Sequence, residues 1–183
     1  MRFTETELDG AWIVDLEPRD DERGFFARTF DAKLFEERGM EPFAAQGNMS
    51  YNKRAGTLRG MHWQKAPAYE SKFIRCVRGA IYDVVVDIRP ESPSYLKHLG
   101  VELTADNRRA LYIPPVFAHG FITLEDDSDV TYQVGGFYAP GTEGGLRYDD
   151  PAFAIEWPRA VEVISDKDAA WPDFQPEPAG VSR

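Results

Sequence analysis

The 183-residue chain has one cysteine, three histidines and no apolar run of membrane-spanning length. A single thiol cannot close an intrachain disulfide. Cys76, inside a strand-like run, therefore reads as a buried core thiol suited to a reducing compartment. The start, Met1-Arg2-Phe3-Thr4-Glu5-Thr6, has no signal-peptide core, so a cytoplasmic protein is expected. Basic residues are also in short supply: 21 Lys and Arg face 31 Asp and Glu, for a net charge of −10. That balance excludes a broad basic surface for nucleic acid and leaves any phosphate-bearing ligand to a few placed cations. Helical periodicity is scarce. Only Asp31 to Arg38, with Asp31 as cap and Gly39 as terminator, predicts a short helix near the N-terminus.

Strand patterning is what remains. Short apolar or alternating runs bounded by Gly, Pro, Asn and Asp recur along the chain. Phe73 to Val77 and Ala80 to Ile88 are the clearest, joined by Arg78-Gly79 in the place of a tight hairpin turn. Leu99 to Leu103, Ala110 to Ile113, Phe117 to Leu124, Asp129 to Gly135 and Val161 to Ile164 follow at regular spacing. This pattern predicts an all-β antiparallel sandwich or barrel, with residues 1–183 in one domain. An irregular tail is expected from Trp171, where Pro172, Pro176 and Pro178 interrupt regular structure.

The stretch Arg59-Gly60-Met61-His62-Trp63-Gln64 carries the first chemical signal. On a strand, Gly60, His62 and Gln64 would point one way and Arg59, Met61 and Trp63 the other. A metal site on a small β-barrel commonly needs two histidines one residue apart, a nearby carboxylate and a later histidine. Here only His119 resembles such a later ligand, and Lys72 would bring positive charge, so neither a metal nor another cofactor is expected. Proton transfer next to a carbonyl fits better. It requires a base, a cation or hydrogen-bond donor at the developing enolate oxygen, and an acid. His62, Lys72 and a tyrosine such as Tyr132 supply those groups, although sequence separation leaves their convergence open.

Further motifs follow in order: Asp21-Glu22-Arg23-Gly24-Phe25-Phe26, Gln46-Gly47-Asn48-Met49-Ser50, Leu58 to Gln64, Lys72, Asp83 to Pro93, Phe117-Ala118-His119-Gly120-Phe121, Tyr132, Tyr138 and Ser165-Asp166-Lys167-Asp168. With these, the chain resembles the dTDP-4-dehydrorhamnose 3,5-epimerase family from Asp21 to Asp168. The resemblance implies a cupin-type double-stranded β-helix (jelly roll). It implies metal-independent epimerisation at C3, C5 or both of a nucleotide-diphosphate 4-keto-6-deoxyhexose. His62 matches the general base, Asp168 its carboxylate partner, Lys72 the group facing the C4 oxygen, and Tyr132 the acid on the opposite face. Arg23, Gln46, Asn48, Arg59, His119, Glu143 and Lys167 match substrate-binding positions, and Tyr138 the ring that stacks on the base. Phe26 lies in the segment that crosses into the other subunit, implying a homodimer with an exchanged N-terminal segment. The alternatives are a keto-isomerase or mono-epimerase on another nucleotide sugar, and a non-catalytic nucleotide-sugar-binding cupin.

Two departures bear on that resemblance. Arg28 stands where the family commonly has a substrate-binding glutamate. A guanidinium only donates hydrogen bonds, so an Arg28 aimed at the base would suit cytosine N3 rather than the N3 proton of thymine. An Arg28 turned to solvent or to an acidic neighbour would leave base choice unaffected. Val116 stands where the family usually has glycine, and at positive φ a valine would be strained, so a different turn before His119 is expected.

Overall fold

Apolar side chains repeating every second residue drive most of the regular structure into antiparallel strands, seen in a computed structural model that describes residues 1–175. In chain order these are β1 (Arg2–Glu5), β2 (Trp12–Asp15), β3 (Arg19–Asp21), β4 (Gly24–Phe26), β5 (Gln46–Asn52), β6 (Leu58–Gln64) and β7 (Lys72–Arg78). They continue with β8 (Ala80–Asp87), β9 (His98–Thr104), β10 (Ala110–Ile113), β11 (Phe117–Thr123), β12 (Ser128–Val134) and β13 (Glu143–Gly145). The helices are α1 (Ala32–Glu36) and α2 (Asp166–Ala169). One sheet runs β1-β2-β10-β7-β12-β5, a second runs β13-β6-β11-β8-β9, and β3 pairs with β4 as a separate hairpin. The fold is the all-β, cupin-type jelly roll that the sequence predicts.

The alternation explains how the sheets pack. Ile74, Cys76, Leu111, Ile113 and Val130 of the six-stranded sheet meet Ile81, Val85, Leu103, Phe117 and Phe121 of the five-stranded sheet in one buried cluster. Each such side chain, fully buried, contributes about 1.5–3 kcal/mol. The opposite face of β8 and β11 (Val84, Val86, Ala118) packs with Met61, Leu146 and Phe153 in a second cluster. A third, with Phe35 of α1 at its centre, covers Phe73, Ala110 and Tyr112 on the outer face of the six-stranded sheet. Cys76 is buried, and burial pushes its thiol up to about 11.

Several expectations need correction. Arg78-Gly79 is not a hairpin turn, because β7 belongs to one sheet and β8 to the other. Gly79, at φ +72°, turns the chain through a corner between sheets; a Cβ there would lie 2.4 Å from Ser128 Oγ. Val161 to Ile164 is not a strand of either sheet and makes only an isolated bridge, Thr57 to Val163. The expected helix is shorter than Asp31 to Arg38: Asp31 caps it, accepting from the Lys33 and Leu34 amides, but α1 ends at Glu36. Gly39 follows at φ +69°, as expected of a terminator. Val116 holds φ +62°, so the turn before β11 keeps a left-handed residue despite the β-branched side chain. Of the tail, Trp171–Gln175 is irregular but anchored, with the Phe174 ring 5.2 Å from that of Phe153; Pro176 and Pro178 lie outside the described residues.

Candidate active site

His62 lies on β6 directly opposite His119 of β11. Phe117 and Phe121, each two residues from His119 along β11, belong to the cluster between the sheets, so His62 also faces that interior. Across β6 and β11 the register then slips: His119 pairs with His62 but Phe121 pairs with Arg59, so β6 carries one extra residue. That bulge corrects the expected facing. Arg59 shares the His62 side instead of pointing away from it, while Met61 packs into the outer cluster. Glycines permit the arrangement. A Cβ on Gly60 would lie 2.5 Å from Gly120 Cα, and one on Gly120 would lie 2.7 Å from the Arg59 carbonyl.

Asp168 brings the C-terminal segment to this point. Its Oδ1 is 2.7 Å from His62 Nε2, and its Oδ2 accepts from the Gly60 amide at 3.1 Å. Ser165 caps α2 and accepts the Asp168 amide at 3.1 Å, which sets the carboxylate's direction. Burial alone would raise the Asp168 pKa, but the hydrogen bonds and charge of His62, with the Gly60 amide and Ser165, bring it below the ordinary carboxylate value. An ionised Asp168 only accepts, so the His62 proton sits on Nε2 and Nδ1 is left as the basic nitrogen. The His62 side chain keeps 40% of its exposure and Asp168 only 7%: the base is open and its partner is covered.

The six-stranded sheet supplies the other two groups expected to carry chemistry. Tyr132 on β12 packs against the central cluster, opposite Asn48 of β5 and Ile74 of β7. Burial raises its phenol pKa; Arg59 opposes that shift and Glu70 adds to it, which puts both charges within electrostatic reach of the ring. Lys72 opens β7, opposite Ile113 and Val134, and its ammonium is paired with Glu70. Arg59 Nε donates to Asn52 Oδ1 at 2.7 Å.

Seven of the expected binding residues fall into two groups. Gln46 accepts the Tyr138 amide at 2.8 Å, the Tyr138 hydroxyl donates to Glu143 at 3.0 Å, and Lys167 donates to the other Glu143 oxygen at 2.7 Å. Hydrogen bonds from Lys167 and Tyr138 hold the Glu143 carboxyl below its ordinary pKa. Because Lys167 precedes Asp168 on α2, this chain of contacts joins the dyad, and Tyr138 stays exposed at the rim. Arg23, Phe26 and Arg28 are not brought to His62 within the single chain. Arg23 pairs with Asp21, Phe26 is 71% exposed, and Arg28 donates to Asp31 at 2.6 Å, the acidic-neighbour arrangement.

Three participants escape sequence reasoning. Asp83, part of the Asp83 to Pro93 motif but given no role by it, is fully buried in mid-β8; its oxygens lie 2.9 and 3.1 Å from His119 Nε2, and burial raises its pKa against the opposing His119. Glu70 lies two residues before Lys72, the spacing of same-face neighbours in extended chain. Trp171, three residues beyond Asp168, sets its ring 6.2 Å from that of His62 and fills the space a Gly145 side chain would need. Only its nearness to Asp168 in sequence hints at this. No group of three or more His, Cys, Asp or Glu among the described residues could hold a metal ion.

Residues 5–176 match the family described as dTDP-4-dehydrorhamnose 3,5-epimerase. The chain is 41% identical over 181 residues to the dTDP-4-dehydrorhamnose 3,5-epimerase of Methanothermobacter thermautotrophicus, covering 97% of each. It is 37% identical to the dTDP-4-dehydrorhamnose 3-epimerase of Streptomyces niveus, covering 92% of this chain and 81% of that one. The crystal structure of dTDP-4-dehydrorhamnose 3,5-epimerase from Bacillus anthracis with TDP and PPi bound superposes with TM-score 0.90 at 39% identity, covering 94% of this chain and 99% of that one.

Proposed function

The chain belongs to the dTDP-4-dehydrorhamnose 3,5-epimerase family, and from that membership we propose how its residues divide the work of an isomerase acting on a nucleotide-linked 4-keto-6-deoxyhexose. His62 Nδ1 removes the proton from the carbon next to the C4 ketone. Asp168 holds the imidazole and stabilises its charged form. The electron pair moves onto the C4 oxygen, where the Lys72 ammonium stabilises the enolate. Tyr132, kept protonated by burial, returns a proton to the other face of the same carbon. The observation carrying this reading is that His62 and Tyr132 come from opposing sheets and face one interior. Inversion requires removal and return from opposite faces.

We extend the proposal to both C3 and C5, to a thymidine nucleotide, and to a cytoplasmic homodimer with residues 1–183 as one domain. Gln46, Asn48, Arg59, His119, Tyr138, Glu143 and Lys167 then hold the nucleotide sugar. Arg23 and Phe26 serve a neighbouring subunit, and Arg28 stays on Asp31. Supporting the dimer, Phe26 is 71% and Met49 63% exposed, and a groove of about 410 Å³ beside Met49, Phe73, Arg75 and Thr131 lies open on the six-stranded sheet. Supporting the compartment, the sole thiol is buried and unpaired, and no helix among the described residues is long and apolar enough to cross a membrane.

Incubation of the dTDP-linked 4-keto sugar in deuterium oxide tests the assignment. Deuterium is expected at C3 and C5 with the native protein and at neither carbon with His62→Asn. Tyr132→Phe is expected to retain part of the exchange while inverted product falls. Full exchange in His62→Asn would remove His62 as the base. Deuterium at one carbon alone would make the enzyme a mono-epimerase.

A further inference from the structure

Glu70 has no part in the proton transfers described above, yet its side chain keeps only 11% of its exposure and its partner Lys72 13%. A carboxylate so placed is costly to bury unless its charge is matched. We propose that Glu70 is the positioning residue of Lys72: its carboxylate fixes the ammonium on the face of β7 that carries Ile74 and Cys76 between the sheets, and balances the Arg59 charge beside Tyr132. This rests on the roles given above to Lys72 and Tyr132.

The argument begins with burial. A lone ammonium at this depth loses its hydration, and an adjacent carboxylate offsets that loss while fixing where the ammonium lies. Exposed Glu–Lys pairs contribute little, but this pair is nearly dry and sits at the first residue of a strand, where the backbone is fixed by Ile113 on one side and Val134 on the other. Arg59 approaches Tyr132 from β6 and favours loss of the phenol proton, and Glu70 opposes it. Glu41, the other nearby acid, is engaged by the intervening Ser71 hydroxyl at 2.7 Å. Removing the Glu70 charge leaves the Arg59 charge unopposed beside Tyr132, and the phenol then gives up its proton more readily. The returning acid fails as pH rises.

The test is the pH dependence of deuterium exchange and turnover in the full-length Glu70→Gln protein. Its alkaline limb is expected to move toward acid by at least about one pH unit, so that on the alkaline side the variant runs about tenfold or more below the native rate, with near-native rates on the acid side of the optimum. A purely structural role lowers the rate by one factor at every pH, and that result, or a limb coincident with the native one, overturns the proposal. If Glu70→Gln does not fold, Glu70→Asp decides, since it sets the charge back by one methylene: a limb moved toward acid supports the proposal and an unmoved limb overturns it. Lys72→Met separates this from the broader assignment. Undiminished exchange in Lys72→Met overturns the role of Lys72 itself and the proposal with it, whereas lost exchange beside a native-like Glu70→Gln overturns the positioning role alone.

Discussion

His119 stands directly opposite His62 across the β6–β11 pair, and each imidazole is bonded to a carboxylate of its own, Asp83 and Asp168. Exposure separates the two dyads. The His62 side chain is 40% exposed and that of His119 10%, so the first presents its free ring nitrogen more openly to a substrate. The carboxylates differ in the same sense: burial raises the Asp83 pKa, whereas the bonds from His62, Gly60 and Ser165 lower that of Asp168. Two similar residue pairs on neighbouring strands are thus set for different tasks, with an ionised partner supplied where an imidazolium must form.

Asp168→Asn tests that distinction. An amide can donate to His62 Nε2, which would move the ring proton to Nδ1 and remove the basic nitrogen. Exchange at C3 and C5 is expected to fall by about 10²–10⁴-fold, the usual contribution of a positioned acid or base. Stability follows a definite sign. The folded pKa of Asp168 lies below its unfolded value, so its stabilisation is present above the ordinary carboxylate pKa and is lost as pH falls through the folded value. Unfolding midpoints of the native and Asp168→Asn proteins should therefore differ at neutral pH and converge below about pH 4.

Gly120→Ala probes the bulge that aligns Arg59 with His62. The added Cβ would lie 2.7 Å from the Arg59 carbonyl, 2.7 Å from Met61 Sδ and 3.2 Å from Gly60 Cα, so β6 has to move. Overpacking of this kind costs about 1–3 kcal/mol. In a domain of this size each kcal/mol lowers Tm by about 2–4 °C. The melting temperature is expected to drop accordingly, with exchange lost more steeply than nucleotide binding. An unchanged melting temperature with native exchange would show that this close approach does not govern the site.

The fold was legible in the sequence wherever one period governed a run, as in Phe73 to Val77 and Ala80 to Ile88, whose alternating side chains fill the three clusters. It was illegible where geometry depends on tertiary partners. Arg78-Gly79 carries the local chemistry of a turn, and only the pairing of β7 with β10 and β12, and of β8 with β9 and β11, makes it a corner between sheets. The facing of Arg59 was missed for a similar reason, since strict alternation assumes no bulge and β6 contains one. Asp168 could be matched by motif because a capped helix holds it locally. Asp83 and Trp171 have no such local signature, since each matters through a neighbour from another strand. Glu70 has only its two-residue spacing from Lys72, and the burial that gives the pair its weight is set by the fold.

An assembly prediction rests on β3 and β4, whose Phe26 ring is 71% exposed in the single chain. A dimer that covers such a ring gains apolar burial, and interface aromatics are often among the residues whose truncation costs about 2 kcal/mol or more. Light scattering on the native protein is expected to give a dimer mass, and Phe26→Asp to raise the dissociation constant by about thirtyfold or more. A fully active native monomer at working concentration would contradict both the dimer and the exchanged segment.

Arg28 bears on base choice only if it leaves its partner: its guanidinium donates to the α1 cap Asp31 at 2.6 Å and is 64% exposed. That pair is solvated, so it holds Arg28 only weakly. The competing arrangement is worse. An arginine turned toward thymine would meet the N3 proton with another donor, and an unmatched polar group in a closed pocket costs about 1–3 kcal/mol. Between a solvated pair that satisfies the guanidinium and a buried contact that does not, the first prevails, and thymine meets no opposing donor. Among dTDP, UDP, CDP and GDP, dTDP is therefore expected to bind the native protein most tightly. Arg28→Glu should leave the dTDP-to-CDP ratio within about twofold, because the side chain that changes does not touch the base. The same variant sets a second carboxylate beside the α1 cap, so its melting temperature should fall slightly even as base preference holds. Tighter CDP binding by the native protein, reversed in Arg28→Glu, would mean that Arg28 leaves Asp31 on binding and reads the base directly.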